Sequence, residues 1–319
     1  MRGGEEQWQA GNIRNIMLLA AGIVILALFV PFVRLFILFF LPLPVMLLRL
    51  VTQDVRYLAA VFVVILFPLG VFSGWAGWDL VFCVSMLLYG YVMGEGWRTG
   101  RSRESFVALG VLASMALWTV GLVFFSVSEG LNPLLFLEKQ VEIALKSVFE
   151  MYQEMGVPKE SLAVWKEAAP LLQYRMARLF PAMMASIQIL VGWLNLLLAR
   201  ELGRRMGILL PDLGIFRNWG VPRVFMWGVI VSGTLCMIPL PLAQLLGISG
   251  FILFFALYFL QGMAVIAFFF QAKKFPFLAQ VMIYTLIAVQ PVLFIPVFIL
   301  GLCDAWFNFR KHIQAPPLA

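Results

Sequence analysis

The sequence predicts an all-α membrane protein, a polytopic bundle of about eight to nine transmembrane helices with an external amphipathic helical hairpin. Hydrophobic residues make up 63% of the 319 residues and charged residues only 12%, and the mean hydropathy is +0.97. This composition is far from that of a soluble domain. The apolar runs are continuous, which favours helices that close their own backbone hydrogen bonds over the alternating strands of a membrane barrel.

Five apolar spans are expected before the first long polar segment. The second is short and contains Pro42 and Pro44, which predicts a broken or half helix. A turn rich in tryptophan precedes the fourth span, and such residues are typical of the headgroup level. The predicted spans cover residues 16–32, 35–48, 57–72, a fourth that ends near 94, and 106–127.

The segment 129–178 is polar enough to leave the membrane. Its apolar residues recur at three- and four-residue steps, which predicts one face of an amphipathic helix at Leu137, Val141, Leu145, Val148, Tyr152 and Met155. Gly156 and Pro158 are typical of the end of one helix and the start of the next. The second helix is expected to bend at Pro170. We therefore expect a helical hairpin that lies on or just above the outer membrane surface.

The C-terminal part holds a sixth span at 181–198, a seventh at 224–240, an eighth at 251–270 and a final apolar run at 276–305. Gln290 and Pro291 interrupt the final run, which favours one kinked crossing but leaves a return to the same side open. Three regions are predicted: a six-span core at 1–200, a basic cytoplasmic loop at 201–223, and C-terminal membrane helices with a tail at 224–319.

The net charge of +7 does not indicate nucleic-acid binding. The basic residues lie in short clusters beside apolar spans, as the positive-inside rule requires of cytoplasmic loops. The pattern predicts a cytoplasmic N-terminus. No small-residue cleavage site follows the first apolar run, which is therefore expected to be retained as a span.

No set of catalytic groups is evident, and the protein is not expected to be an enzyme. His312 is the one histidine, and it lies beyond the last span. The three cysteines stand in separate spans without metal-ligand spacing, so neither a metal nor another cofactor is predicted. The run from Gly94 to Gly100 is expected to be a flexible basic turn rather than a dinucleotide loop.

Polar residues within the spans are the candidate site residues. An unpaired amide is costly to bury, so the side chains at Gln188, Asn195, Gln261 and Gln290 predict either hydrogen bonds between helices or a ligand cavity. Asp304 near Arg310 predicts an ion pair that fixes the chain end or a docking point for a partner. Small residues four apart, such as Gly90 and Gly94, predict close helix contacts.

The stretch from Tyr258 to Val265 and the ending from Gly301 to Arg310 resemble the C-terminal signatures of the YybS-like family of uncharacterised bacterial membrane proteins. That family is itself similar, in its N-terminal half, to the S-components of energy-coupling-factor transporters and to MreD-like proteins of cell-wall synthesis. The resemblance implies a multi-pass protein of the bacterial cytoplasmic (inner) membrane. The first span lacks the pair of small residues with which S-components dock on their coupling subunit.

The first function that the resemblance implies is binding or transport of a small solute, in the manner of an S-component, with an ATPase module as the protein partner. The candidate solute-binding residues are Trp75, Trp78, Asp79, Gln188, Asn195, Gln261 and Gln290.

The alternative is a non-catalytic membrane scaffold that recruits partners in envelope assembly or cell division. Its candidate docking residues lie in the basic loop and the tail, at Arg204, Arg205, Asp304, Trp306 and Arg310.

Overall fold

The computed structural model describes residues 2–30, 34–73 and 77–312, and throughout these ranges the regular structure is helical. The helices are α1 (Arg2–Phe29), α2 (Arg34–Leu38), α3 (Pro42–Val51), α4 (Val55–Ser73), α5 (Gly77–Arg98), α6 (Arg103–Ser128), α7 (Pro133–Glu154), α8 (Lys159–Arg205), α9 (Phe225–Met237), α10 (Pro241–Ala272), α11 (Phe277–Val289) and α12 (Phe294–Phe307). Short 3₁₀ helices cover Phe216–Asn218, Pro291–Leu293 and Phe309–His312. The all-α prediction is confirmed.

Five of the described helices are long and apolar enough to cross a membrane: α1 from Gln7, α5, α6, α8 from Leu162, and α10. A sixth span results if α11 and the segment Pro291–Phe307, which meet at an angle of 102°, count as one. Three more predicted spans fall on shorter apolar helices at Phe36–Val51, Val55–Val71 and Phe225–Met237. Because a hydrocarbon core requires about 20 helical residues, these three helices are short for a crossing.

The chain divides into two compact units. The first comprises Met1–Ala177 and Val191–Leu213, and the second comprises Arg178–Leu190 and Gly214–Ala319. Helix α8 therefore contributes to both units.

In the first unit, α5 packs closely against α3. A Cβ atom at Gly90 would overlap the carbonyl oxygen of Pro42, and one at Gly94 would lie 2.8 Å from the Cβ of Arg49. These two glycines therefore let the helix backbones approach, as the four-residue spacing predicts. The proline-bearing α3 is buried along most of its length because of this contact.

Helix α7 and the part of α8 before Arg178 pack antiparallel as a hairpin within the first unit. The side chain of Asn132 caps α7 by accepting a hydrogen bond from the backbone N–H of Leu135 at 2.8 Å. Gly156, with φ 76°, ends the helix in the left-handed conformation that glycine tolerates best. The ring of Tyr152 lies 6.1 Å from that of Trp165 across the hairpin. Helix α8 then runs without a break through Pro170.

In the second unit, α10 packs against α9 and α12. A Cβ atom at Gly262 would overlap the carbonyl oxygen of Val297, and one at Gly301 would overlap the carbonyl oxygen of Tyr258. The backbones of α10 and α12 therefore touch at two points one turn apart. The predicted break near Gln290 and Pro291 is confirmed, because α11 ends there and a 3₁₀ turn follows.

Candidate functional site

The close packing of α10 on α12 brings two buried polar side chains together. Gln261 on α10 and Asp304 on α12 are 2% and 3% exposed. Asp304 lies three residues after Gly301, on the same face of α12, because a helix repeats every 3.6 residues. The Gln261 Nε2 atom donates a hydrogen bond to Asp304 Oδ2 at 3.0 Å.

A left-handed residue returns the tail to this pair. Asn308 ends α12 with φ 51°, and its backbone N–H donates to the carbonyl oxygen of Asp304 at 2.8 Å. The chain then reverses, so that Arg310 Nη2 lies 2.6 Å from Asp304 Oδ2. The ion pair that the sequence suggests at the chain end is confirmed. We call Gln261, Asp304 and Arg310 the polar centre.

The polar centre also binds the backbone of residues 217–221, an irregular segment between α8 and α9. Arg310 Nη1 donates to the carbonyl oxygens of Arg217 at 2.9 Å and Trp219 at 2.8 Å. The backbone N–H of Val221 donates to Gln261 Oε1 at 2.9 Å. A Cβ atom at Gly220 would lie 3.1 Å from Arg310 Nη2, so a small residue suits this position. The side chains of Arg310 and Gln261 thus form hydrogen bonds with backbone carbonyl and N–H groups outside the α-helices.

One acceptor of the polar centre is left without a partner. Asp304 Oδ1 is buried and has no hydrogen bond within the described part of the chain, although Oδ2 accepts two. The hydroxyl of Tyr258, one turn before Gln261 on α10, is also buried without a hydrogen bond. Buried polar atoms are nearly always paired in folded proteins, so unmet atoms of this kind mark candidate binding positions.

The tryptophan turn contributes to packing and to an ion pair. The ring of Trp78 lies 5.0 Å from that of Trp118 in an edge-on contact, and further edge-on contacts join it to Phe125 and Phe136. Asp79 pairs with Arg34 at 3.9 Å. Trp75 lies outside the described residues.

The other three amides of the predicted spans have separate environments. Gln188 is buried within α8. Asn195 Nδ2 donates to the carbonyl oxygens of Phe39 at 2.9 Å and Val191 at 2.8 Å, which is the structural role expected of an amide inside a bundle. Gln290 is exposed at the end of α11.

The docking candidates outside the polar centre are exposed. Arg204 and Arg205 lie at the end of α8, and Arg205 pairs with Glu201 at 2.7 Å. The Trp306 side chain is 59% exposed. Asp304 and Arg310, in contrast, are engaged with each other inside the second unit.

A second charged cluster was missed by the sequence analysis. Arg49 is buried and donates to Glu95 through Nε and Nη2, and Arg98 donates to the same carboxylate. The guanidinium of Arg49 also lies 5.0 Å from the ring centre of Tyr91. The expected flexible turn from Gly94 to Gly100 is wrong, because α5 continues through Arg98 and Trp97 is buried. The sequence signal that could have identified this cluster is the pair of opposite charges at Arg49 and Glu95, each at the end of a predicted apolar span.

One groove in the second unit, of about 430 Å³, is apolar and is lined by Met183, Ser186, Ile187, Leu190, Phe251, Ile252, Phe255 and Ala256. Within the described ranges, no three histidine, cysteine or carboxylate side chains lie close enough to share a metal ion.

Comparison with known proteins supports the resemblance. Residues 18–305 match a family described as "Predicted membrane protein (DUF2232)". The chain is 25% identical over 305 residues to the "Uncharacterized protein YybS" of Bacillus subtilis (strain 168), an alignment that covers 93% of this chain and 95% of that protein. No solved structure matches the chain. The YybS-like resemblance is thus confirmed, and the chain belongs to the DUF2232 family of predicted membrane proteins.

Proposed function

We propose that this protein binds a small solute within the bacterial cytoplasmic membrane, in the manner of an S-component, and that the polar centre on the C-terminal helices α10 and α12 is the binding site. The observation that carries the proposal is Asp304, a buried carboxylate with one oxygen unpaired among the described residues. An ionisable residue inside a membrane protein is expensive to bury and commonly marks a substrate path.

The setting of Asp304 is typical of solute sites in membrane transporters. Such sites form where helices are interrupted, since irregular backbone is tolerated at membrane depth only where protein or a cavity covers it. Here an irregular segment reaches the polar centre at Arg217, Trp219 and Val221. The bend between α11 and the segment Pro291–Phe307 supplies a second interruption.

The proposal moves the site away from the tryptophan turn. The ring of Trp78 packs into an aromatic cluster and Asp79 has a counter-ion in Arg34, so neither presents an unmet group. Gln188 and Asn195 remain solute-binding predictions from the sequence alone, separate from the polar centre. The topology proposed with this function has eight to nine crossings, a cytoplasmic N-terminus and an external α7–α8 hairpin.

Gentle extraction of a tagged copy from its native membrane tests the proposal. Mass spectrometry of the purified protein should find a small molecule in stoichiometric amount, and an ATPase module would be the accompanying protein. The molecule should be lost from the Asp304→Asn variant and retained by Asp54→Asn, which changes an exposed aspartate. An equal amount in both variants, or none in the wild type, would refute solute binding at this centre.

A scaffold that recruits envelope or division proteins is the second candidate. It is favoured by one observation, the exposed rings of Trp306 and Phe307 on a tail that the Arg310 ion pair holds in place. Arg204 and Arg205 at the end of α8 are separate docking candidates. Changing Trp306 and Phe307 to serine should then remove partner proteins from the purified complex. Recovery of the same partners by the variant would exclude docking on the tail.

A further inference from the structure

We infer that the solute bound at the polar centre is uncharged and donates a hydrogen bond, as a primary amide or a hydroxyl does. This inference rests on the proposed function and names the class of ligand. It follows from two properties of the same three side chains, namely their charge balance and their unused hydrogen-bonding capacity.

The polar centre is formally neutral. Asp304 carries one negative charge, and Arg310 carries one positive charge at a distance of 2.6 Å. The other groups at the centre, the Gln261 amide and the carbonyls of Arg217 and Trp219, are uncharged. A charged solute would therefore bring an unmatched charge into a buried site, which is strongly unfavourable in a low-dielectric medium.

The hydrogen bonds already present leave one acceptor atom of the polar centre unused. Asp304 Oδ2 accepts from Gln261 and Arg310, Gln261 Oε1 accepts from Val221, and Arg310 Nη1 donates to two carbonyl oxygens. The carboxylate oxygen Oδ1 is unpaired among the described residues, and a carboxylate oxygen can only accept. A ligand that satisfies Oδ1 must therefore donate.

Tyr258 adds a second unmet group on the same face of α10. Its hydroxyl is buried without a hydrogen bond within the described part of the chain, and it can donate or accept. An amide can donate to Asp304 Oδ1 and either donate to or accept from the Tyr258 hydroxyl, so a neutral solute can satisfy both groups.

Three probes of nearly identical shape test the inference. Acetamide is neutral, acetamidinium is a cation and acetate is an anion, while all three are planar and of equal size. The full-length protein in lipid nanodiscs would be titrated with each probe, and binding would be followed by saturation-transfer NMR. Wild type and Asp54→Asn should both bind acetamide at least about ten-fold more tightly than either ion, a ratio that corresponds to about 1.4 kcal/mol.

Asp304→Asn should change the preference in a defined way. The asparagine oxygen would face the donors from Gln261 and Arg310, which places its NH₂ where Oδ1 now lies. The centre then carries a net positive charge and offers a donor, so acetate should bind more tightly than acetamide. Thermal unfolding checks that the variant is folded. If it is not, Tyr258→Phe, which removes a hydroxyl without a hydrogen bond, should weaken acetamide binding.

The outcomes separate the two proposals. A different outcome is that the wild type binds acetamidinium or acetate more tightly than acetamide, and that this binding is lost or altered in Asp304→Asn. That result would overturn the inference of a neutral solute but would support the proposed binding site. If none of the three probes binds in a way that depends on Asp304 or Tyr258, both the ligand class and the site are refuted. If the wild type prefers acetamide and Asp304→Asn prefers acetate, the result supports both the binding site and the ligand class.

Discussion

Arg310 and Asp304 form an ion pair of 2.6 Å although only six residues separate them along the chain. A straight helix would place them about 120° apart around its axis and about 9 Å apart along it, because 3.6 residues make one turn and each residue rises about 1.5 Å. The left-handed Asn308 reverses the chain between them and makes the contact achievable. The segment around Arg310 is thereby fixed to α12 and to the backbone near Trp219.

Breaking this ion pair should destabilise the protein strongly. Arg310→Gln leaves the buried carboxylate without its counter-ion and releases the carbonyls of Arg217 and Trp219, so we expect a loss of about 3–5 kcal/mol. Lys146→Gln is the matched control, since Lys146 pairs with Glu142 on an exposed helix face and should contribute less than about 1 kcal/mol. Thermal unfolding in detergent measures both. Equal losses in the two variants would contradict a special role for the buried pair.

Gly262→Ala should destabilise the α10–α12 contact by about 1–3 kcal/mol through overpacking. The added methyl would overlap the carbonyl oxygen of Val297, which is a backbone atom and cannot rotate away as a side chain can. Gly233→Ala in α9 is the control, because its added methyl would meet no atom of a neighbouring element within 4 Å and alanine favours helix. We expect a lower unfolding temperature for the first variant and an unchanged or higher one for the second. The reverse order would rule out direct backbone contact.

Lys274→Gly should stabilise the protein by about 1 kcal/mol. Lys274 follows α10 with φ 51°, a conformation that strains residues with a Cβ atom but not glycine. The neighbouring Lys273 has φ −95°, so Lys273→Gly relieves no strain and should be neutral or destabilising. Comparing the two variants by thermal unfolding removes the effect of losing one positive charge. A larger gain at position 273 would show that charge, not backbone strain, governs the turn.

Arg49→Lys should weaken the junction of α3 and α5 by about 1–3 kcal/mol. Arginine uses Nε and Nη2 on Glu95 and Nη1 on the carbonyl oxygen of Gln53, and lysine has one nitrogen in place of three. Arg205→Lys is the control, because Arg205 pairs with Glu201 on an exposed surface. Limited proteolysis and thermal unfolding report the loss. Equal tolerance at both positions would mean that the buried donors contribute nothing.

Composition alone determined the class of this protein. Continuous apolar runs can satisfy their backbone at membrane depth only as helices, so the all-α bundle follows without a structure. Local signals were also sufficient for the Gln290–Pro291 break and for the Gly90 and Gly94 contacts, because proline and glycine act on the backbone where they stand.

Only the tertiary structure decided which polar residues meet. Gln261 and Asp304 are 43 residues apart in the chain, and hydropathy carries no signal for the register in which α10 and α12 cross. The sequence therefore assigned Gln261 to a solute site and Asp304 to partner docking, although they share a hydrogen bond. Glu95 likewise was assigned to a loop, because a carboxylate paired with buried Arg49 has the same sequence pattern as one in water. Pairing between distant helices depends on backbone approach at glycines and on one left-handed turn, and both are properties of the folded chain.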